Sequence, residues 1–286
     1  MNYNAVINEA SKILKHHSIK SPKLDSEIIL ANVLKLSREQ LLLNLNEKIS
    51  GKDFKFFKKS IKRRKKKEPV AYIIGHKEFW KEKFKVNSNV LIPRPDTEII
   101  VEEVLKTIPL KSSKNILDIG TGSGCIILSI LRDRNKCYAS ALDISIKALK
   151  VAKHNAKIQQ LENRIRFINS NIDKFCNGKY DIIISNPPYI KSSYIKKLDD
   201  DVRLYEPKLA LDGGNDGLSQ IREVIKKSSI LVKKKGKLFL EIGFDQVNET
   251  KKLLVDNKFY VNQIVKDLGK NNKFIKIKRY KSDIFC

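Results

Sequence analysis

Cysteine is scarce and scattered. The four thiols of this 286-residue chain, at positions 125, 137, 176 and 286, form no CxxC pair. That argues against a zinc framework and predicts free thiols in a reducing compartment. Long apolar runs are missing too. None reaches the ~18–20 residues that span a bilayer, so no membrane partner is predicted. The opening Met1-Asn2-Tyr3-Asn4-Ala5-Val6 has no basic stretch followed by an apolar one, which predicts no secretory signal and a cytoplasmic location. Acidic residues are outnumbered, 32 against 58 basic, for a formal charge of +26. Of the basic residues 47 are Lys and 11 Arg. With Asn and Ile also abundant, this bias reads as genome composition filling solvent positions with Lys. A strongly basic surface equally favours anionic partners such as nucleic acid or ribosomes. Charge alone leaves both readings open.

A hydrophobic content of 41% and a charged content of 31% fit a soluble globular protein. The length predicts one larger domain and a smaller one. Glycine is sparse in the first 60 or so residues, which leaves no cofactor loop there and points to helices. Ala5, Ile7, Ala10, Ile13 and Leu14 share one helical face. Pro22 opens a second helix with Leu24, Ile28, Ala31 and Leu34 or Val33 as its stripe. Ser37 and Gln40 have capping-box spacing. Gly51 and Asp53 start a helix carrying Phe54, Phe57 and Ile61. Its basic end, Lys58 to Lys67, reads as a solvated helix face or as an RNA or protein contact.

The pattern changes after Glu68. Ala71-Tyr72-Ile73-Ile74-Gly75, Glu78-Phe79-Trp80 and Phe84-Lys85-Val86 predict short strands in a hairpin-like connector. In Leu91-Ile92-Pro93-Arg94-Pro95-Asp96-Thr97-Glu98, two prolines make a rigid bend. Thr97 or Asp96 is expected to cap the next helix. Arg94 is either a fixed donor for a carboxylate or phosphate ligand, or the partner of a nearby acid.

Asn115-Ile116-Leu117-Asp118-Ile119 then reads as a strand, Gly120-Thr121-Gly122-Ser123-Gly124 as a glycine loop, and Cys125 to Leu131 as a helix. Such glycines let the backbone turn tightly beside a ligand, and helix-start N–H groups face it. The next strand ends in Asp143, 19 residues after Gly124. An acid so placed binds ribose hydroxyls in dinucleotide folds. The GxGxG spacing argues against a plain nicotinamide site and suits S-adenosylmethionine, which has no pyrophosphate to cradle. After a third strand, Asn171 is placed to bond an adenine edge and Ile172 to cover its face. A plain polar turn is the alternative there.

Tyr180-Asp181-Ile182-Ile183-Ile184 predicts a buried parallel strand. It runs into Ser185-Asn186-Pro187-Pro188-Tyr189-Ile190. The prolines end the ladder at once, making a stiff shape at the sheet edge where open α/β folds bind ligands. Asn186 brings a side-chain acceptor and Pro187 a backbone carbonyl. Two adjacent acceptors suit a substrate –NH2, and Tyr189 supplies a flat face. A proline turn with no such role is the alternative. Lys191 to Gly217 is a long irregular segment, of a kind that is usually functional or mobile. Helix 218–232, strand Lys237–Ile242 and helix 245–257 follow. Two closing strands come last, joined by Gly269-Lys270-Asn271-Asn272.

With Glu78-Phe79-Trp80, Leu91–Glu98, Asp118–Gly124, Asn186–Ile190 and Asp201-Val202-Arg203 with Glu206-Pro207, the chain resembles the bacterial release factor glutamine methyltransferases over essentially its whole length. The resemblance implies a helical substrate-recognition domain (1–68), a β-hairpin connector (69–90) and a Rossmann-like seven-stranded methyltransferase domain (91–286). It implies methyl transfer from S-adenosyl-L-methionine to N5 of the glutamine in the Gly-Gly-Gln motif of peptide chain release factors. Ribosome proximity then enters as an expectation, with no stable nucleic-acid partner and no metal. Positions carried over for the cofactor are Gly120, Thr121, Gly122, Ser123, Gly124, Asp143, Ile172 and Asn186. Those for the substrate clamp are Asn186, Pro187, Pro188 and Tyr189. Ile172 is a departure, since some members carry Trp there. Asn-Pro-Pro-Tyr also occurs in ribosomal-protein glutamine and adenine-N6 nucleic-acid methyltransferases, which likewise act on a planar –NH2. The helical domain and Leu91–Glu98 favour release factors.

Overall fold

The structure, a computed structural model, describes residues 1–266 and 272–279. The expected turn at Gly269 to Asn271 therefore lies outside the described residues, as does Cys286. The chain separates into two compact units: Met1–His76 with Leu198–Tyr205, and Lys77–Lys197 with the described residues from Glu206 on.

The first unit begins with α1 (Tyr3–His16), whose first turn is capped by Asn2 accepting the N–H of Ala5. Next come α2 (Pro22–Leu34), α3 (Arg38–Leu43) and α4 (Gly51–Lys65). The Ser37 hydroxyl accepts from the Gln40 N–H while the Gln40 side chain accepts from the Ser37 N–H, the reciprocal arrangement that its spacing predicts. Val6, Ile7, Leu14, Ile29, Leu30, Leu41, Phe57 and Ile61 form the core. The expected stripe on α2 is rotated. Leu24 is exposed, and Asp25 faces inward against Arg64 at 2.6 Å. Both partners are buried, so deleting either one leaves an uncompensated charge and costs about 3–5 kcal/mol. The basic end of α4 accordingly divides. Arg64 turns in to Asp25 and Arg63 to Glu68, while Lys58, Lys59, Lys62, Lys65 and Lys66 stay in solvent.

The segment predicted as a strand at Ala71–Gly75 is instead a helix, α5 (Val70–Ile74). Pro69 presets the entry, and Gly75 ends it at φ +84°, a left-handed conformation that glycine adopts without strain. A five-residue apolar run has no period long enough to tell helix from strand. The hairpin itself is present, as β1 (His76–Phe79) and β2 (Glu82–Lys85).

The second unit is a seven-stranded sheet. In chain order its elements are α6 (Glu98–Thr107), β3 (Asn115–Ile119), α7 (Cys125–Asp133), β4 (Tyr138–Asp143), α8 (Ile146–Ile158), β5 (Ile165–Asn169) and β6 (Tyr180–Ser185). Two short helices follow, α9 (Ser192–Ile195) and α10 (Asp200–Tyr205), the latter grouped with the first unit. The second unit continues with α11 (Ser219–Leu231), β7 (Val232–Glu241), α12 (Val247–Asp256), β8 (Phe259–Lys266) and β9 (Asn272–Arg279). The strand order is β5-β4-β3-β6-β7-β9-β8, with β9 antiparallel to both neighbours and the others parallel. β7 starts earlier than predicted, because Val232 pairs with Tyr180 before a bulge restores register at Ile182–Lys237.

Alternation along β6 assigns the two faces. Ile182 and Ile184 enter the core beneath α6, α7 and α8. Ile183 enters the opposite core with Leu117, Leu238 and the apolar faces of α11 and α12. Covering both faces is what makes a parallel sheet stable. The chain leaves β3 in one direction to β4 and β5, then crosses back to place β6 on the other side of β3. That reversal opens a crevice at the carboxyl ends of β3 and β6.

Candidate active site

The crevice is a cavity of about 260 Å³. The loops after β3, β4, β5 and β6 meet there because these neighbouring strands end in register. Ile119 of β3 pairs with Leu142 of β4 and with Ser185 of β6, and Ser185 pairs with Leu240 of β7. The glycine loop, Asp143, Asn186 and Glu241 are each one step beyond these pairs, or at the strand's last residue. Asn171 and Ile172 come in after β5.

The loop after β3 needs glycine at Gly120, Gly122 and Gly124, where φ is +74°, +57° and +81°. Open space surrounds an added Cβ at Gly120 and Gly122, so a ligand meets bare backbone there. Asp143 braces the loop. Its Oδ2 accepts the Gly122 N–H at 2.9 Å and its Oδ1 the Ser145 N–H at 2.8 Å. Burial pushes its carboxyl above the ordinary range, and these two donors oppose that. A carboxylate has about four acceptor sites, so about two remain for hydroxyls of a ligand. Asp118 lies beneath, on β3, fully buried and accepting the Thr121 hydroxyl at 2.6 Å. Burial pushes it up to about 7, with the Thr121 hydrogen bond pulling the other way and the Asp143 charge adding to the rise. Burial also pushes the thiol of Cys125, on the cavity wall, up to about 12. It stays protonated and does not act as a nucleophile.

Asn155 on α8 ties this loop to the hairpin. Its amide accepts from the Lys85 N–H at 2.8 Å and donates to the carbonyls of Lys85 at 3.1 Å and Ser123 at 2.8 Å. Both its donor hydrogens and one acceptor site are used within the protein, and it is buried.

On the other side of the cavity, Asn186, Pro187 and Pro188 line the wall. The Asn186 Nδ2 donates to Thr97 Oγ1 at 3.4 Å, and its Oδ1 accepts no hydrogen bond from any described residue. Thr97, one of the two residues expected to cap α6, holds the N-cap position but makes no side-chain cap hydrogen bond. It sits in a 3₁₀ turn (Pro95–Thr97), and its hydroxyl donates instead to Glu241 Oε2 at 2.8 Å. Tyr189 stands behind the wall, and its hydroxyl donates to Glu241 Oε1 at 3.3 Å. The Tyr189 carbonyl accepts from Gln246 Nε2 at 3.0 Å. Gly213 and Gly217 press against this turn. A Cβ on Gly213 would stand 2.9 Å from the Pro188 carbonyl, and one on Gly217 would stand 2.6 Å from that of Tyr189. The long segment after Ile190 thus folds back as a brace, with Gly213 N–H donating to the Ile190 carbonyl at 2.8 Å.

Arg94 pairs with an acid, donating to Glu206 Oε1 at 2.5 Å, and Glu206 also accepts the Ile92 N–H. Of the eleven positions carried over for the cofactor and the clamp, Gly124 and Tyr189 are off the cavity wall, and the others line it. Thr97 and Glu241 were missed as site residues. The signal for Glu241 was an acid inside the apolar run Leu238-Phe239-Leu240-Glu241-Ile242. No cluster of His, Cys, Asp or Glu able to hold a metal occurs among the described residues. No helix among them is long and apolar enough to cross a membrane.

Residues 5–75 match the PrmC N-terminal domain, and residues 96–199 the methyltransferase small domain. A release factor glutamine methyltransferase of Fusobacterium nucleatum is 37% identical over 96% of this chain and 78% of its own length. One of Buchnera aphidicola is 39% identical over 96% of this chain and 98% of its own. A bifunctional methyltransferase of Rickettsia prowazekii is 38% identical, and the chain spans only 56% of that relative. Among solved structures, a methyltransferase from Pyrococcus furiosus aligns with a TM-score of 0.52 at 20% identity, over 68% of this chain and 88% of its own. The ribosomal protein L11 methylase of Lactobacillus delbrueckii aligns with a TM-score of 0.50 at 15% identity, over 67% and 82%. Both share the fold of the second unit's sheet.

Proposed function

The chain belongs to the release factor glutamine methyltransferase family, and from that premise we propose its reaction: a methyl group passes from S-adenosyl-L-methionine to the N5 side-chain amide of the Gly-Gly-Gln glutamine in a peptide chain release factor. One observation carries this reading. The glycine loop and the Asn-Pro-Pro-Tyr turn leave adjacent strands, β3 and β6, at paired residues Ile119 and Ser185, so a methyl donor and a planar amide would meet over one edge.

The residues present fit the cofactor. Asp143 keeps acceptor sites for ribose hydroxyls, the Gly120–Gly124 backbone is open to close approach, and Asn171 and Ile172 flank the same cavity for an adenine. Ile172 is buried and apolar, so it serves as a wall where a larger aromatic ring stands in some relatives. Bound there, S-adenosylmethionine supplies an electrophilic methyl on a positively charged sulfur. The chain's own work is on the amide. An amide nitrogen is a poor nucleophile because its lone pair is delocalised. The Asn186 Oδ1 and the Pro187 carbonyl accept hydrogen bonds from its two N–H groups, which orients the nitrogen and favours pyramidal geometry in the transition state, and one of these protons leaves to solvent once the nitrogen is methylated. Alignment supplies much of the remaining acceleration. Tyr189, held off the wall by Glu241 and Gln246, sets the shape of the turn.

Incubation with purified release factor and isotopically labelled S-adenosylmethionine tests the reaction. The expected result is one labelled methyl on the Gly-Gly-Gln glutamine by peptide mass spectrometry. Label on a ribosomal protein or on adenine, with none on the factor, would overturn the substrate.

A further inference from the structure

We propose that Thr97 and Glu241 are positioning residues for methyl transfer, fixing through one hydrogen-bond chain which end of the Asn186 amide faces the substrate. The inference rests on the methyl-transfer reading above and deepens it. A primary amide has one acceptor end and one donor end of nearly the same shape. Packing alone does not choose between them. If Asn186 turned over, its –NH2 would face the substrate –NH2, donor against donor, and one of the two acceptors would be lost.

The structure supplies the choice from behind. At Glu241 Oε2 the Thr97 hydroxyl is the donor, at 2.8 Å. With its single proton so committed, the Thr97 oxygen only accepts toward Asn186. It therefore selects Nδ2, at 3.4 Å, and leaves Oδ1 for the cavity. The same carboxylate takes the Tyr189 hydroxyl on Oε1, so one side chain grips both ends of the Asn-Pro-Pro-Tyr turn. The arrangement is built in. Thr97 and Glu241 are both buried, at 3% and 1% exposure. Glu241 arrives because Leu240 pairs with Ser185, one step before Glu241 and Asn186. Thr97 comes from the proline bend, 144 positions away in sequence from Glu241.

Thr97→Val removes the hydroxyl at nearly constant shape. With a release factor as substrate, kcat should fall about ten- to hundredfold, the effect of losing the set of one transition-state acceptor. The KM for the factor should stay within about threefold, and calorimetric affinity for S-adenosylmethionine within about twofold, because valine keeps the shape of the cavity wall where Thr97 stands. Thr97→Ser, which keeps the hydroxyl, should recover kcat to within about threefold of wild type. On an Asn186→Ala background, Thr97→Val should cost less than about twofold more, since the group it positions is gone. If Thr97→Val fails to fold by circular dichroism, Glu241→Gln is measured instead, with the same kcat loss and the same non-additivity expected. Thr97→Val at wild-type kcat, an equal loss in Thr97→Ser, or full additivity with Asn186→Ala would each overturn this inference while leaving the reaction standing. A wild-type chain that transfers no methyl to the factor would overturn both.

Discussion

Arg94 donates to Glu206 Oε1 at 2.5 Å across 112 positions of sequence. The same carboxylate accepts the backbone N–H of Ile92, so the proline bend before α6 is stapled to the start of Pro207–Leu211. Pro93, Arg94 and Pro207 all face the cavity. The ion pair therefore shapes one wall from two distant segments.

Arg94→Ala should lower the unfolding free energy by about 1–3 kcal/mol, reduced from the fully buried case because the guanidinium is partly solvated. Chemical denaturation measures it. A midpoint equal to wild type would show that the pair does not hold the bend.

Asp143→Ala removes the acceptor of the Gly122 and Ser145 N–H groups together with the proposed ribose contacts. Bonds of this charge-assisted kind contribute roughly 1.5–3 kcal/mol, so the dissociation constant for S-adenosylmethionine should rise about tenfold or more. Calorimetry decides, and unchanged affinity would remove Asp143 from the site.

Asn186→Ala should lower single-turnover methyl transfer by ~10²–10³ with the fold intact. Asn186→Asp sharpens the point. When ionised, the new carboxylate sets oxygen against the Thr97 oxygen, whose proton is held by Glu241. Once protonated, it again donates to Thr97 and accepts from substrate. The rate of this variant relative to wild type should therefore rise as pH falls from about 8 to about 6. A flat ratio would mean that Nδ2 does not need its donor role.

Asp118 makes stability depend on pH in a sense opposite to most carboxylates. Its folded value, about 7, lies above the ordinary 3.8, so between those values the folded state holds a proton that the unfolded chain has lost. Stability from this group is present at low pH and is lost as pH rises from about 4 through about 7, by at most ~4 kcal/mol. Asp118→Asn should flatten that slope in melts taken across this window. An identical pH dependence in the variant would show that Asp118 is ionised throughout.

Truncation separates hairpin from helices. Residues 1–76 fall in a different unit from the sheet, but Trp80 Nε1 donates to Asp133 at 3.0 Å and Asn155 holds Lys85. Deletion through Gly75 should leave a chain that binds S-adenosylmethionine and modifies the intact factor poorly. Deletion through Val86 should melt at lower temperature than that, because Asn155 loses its two hydrogen bonds to Lys85. Equal melting temperatures would mean that the hairpin contributes nothing to the sheet unit.

What could be read from sequence was local. Strand–glycine–helix and strand–Asn-Pro-Pro-Tyr are contiguous, and each residue's backbone preference already states its role. The seven-stranded sheet follows from the alternation of such units. Ala71–Gly75 was misread because five apolar residues carry no usable period, although Pro69 and Gly75 are the entry and exit signals of a short helix. Thr97 was misread for a different reason. A threonine before a helix has a local partner available, and only the return of β7 beside β6 offers Glu241 as a better one. Arg94 stayed ambiguous until Glu206 was placed.

The sheet order has a consequence for incomplete chains. β9 lies between β7 and β8 and hydrogen-bonds to both. A chain cut before Asn272 would leave β7 paired to β6 but open along its other edge, and β8 without its partner strand. One of them carries Leu238, Phe239 and Leu240, which are fully buried in the intact sheet. Open apolar edges of that kind template pairing between molecules. Nonsense fragments ending in α12 or β8 should therefore collect in inclusion bodies, and a synthetic strand of the β9 sequence supplied in trans should draw them back into solution.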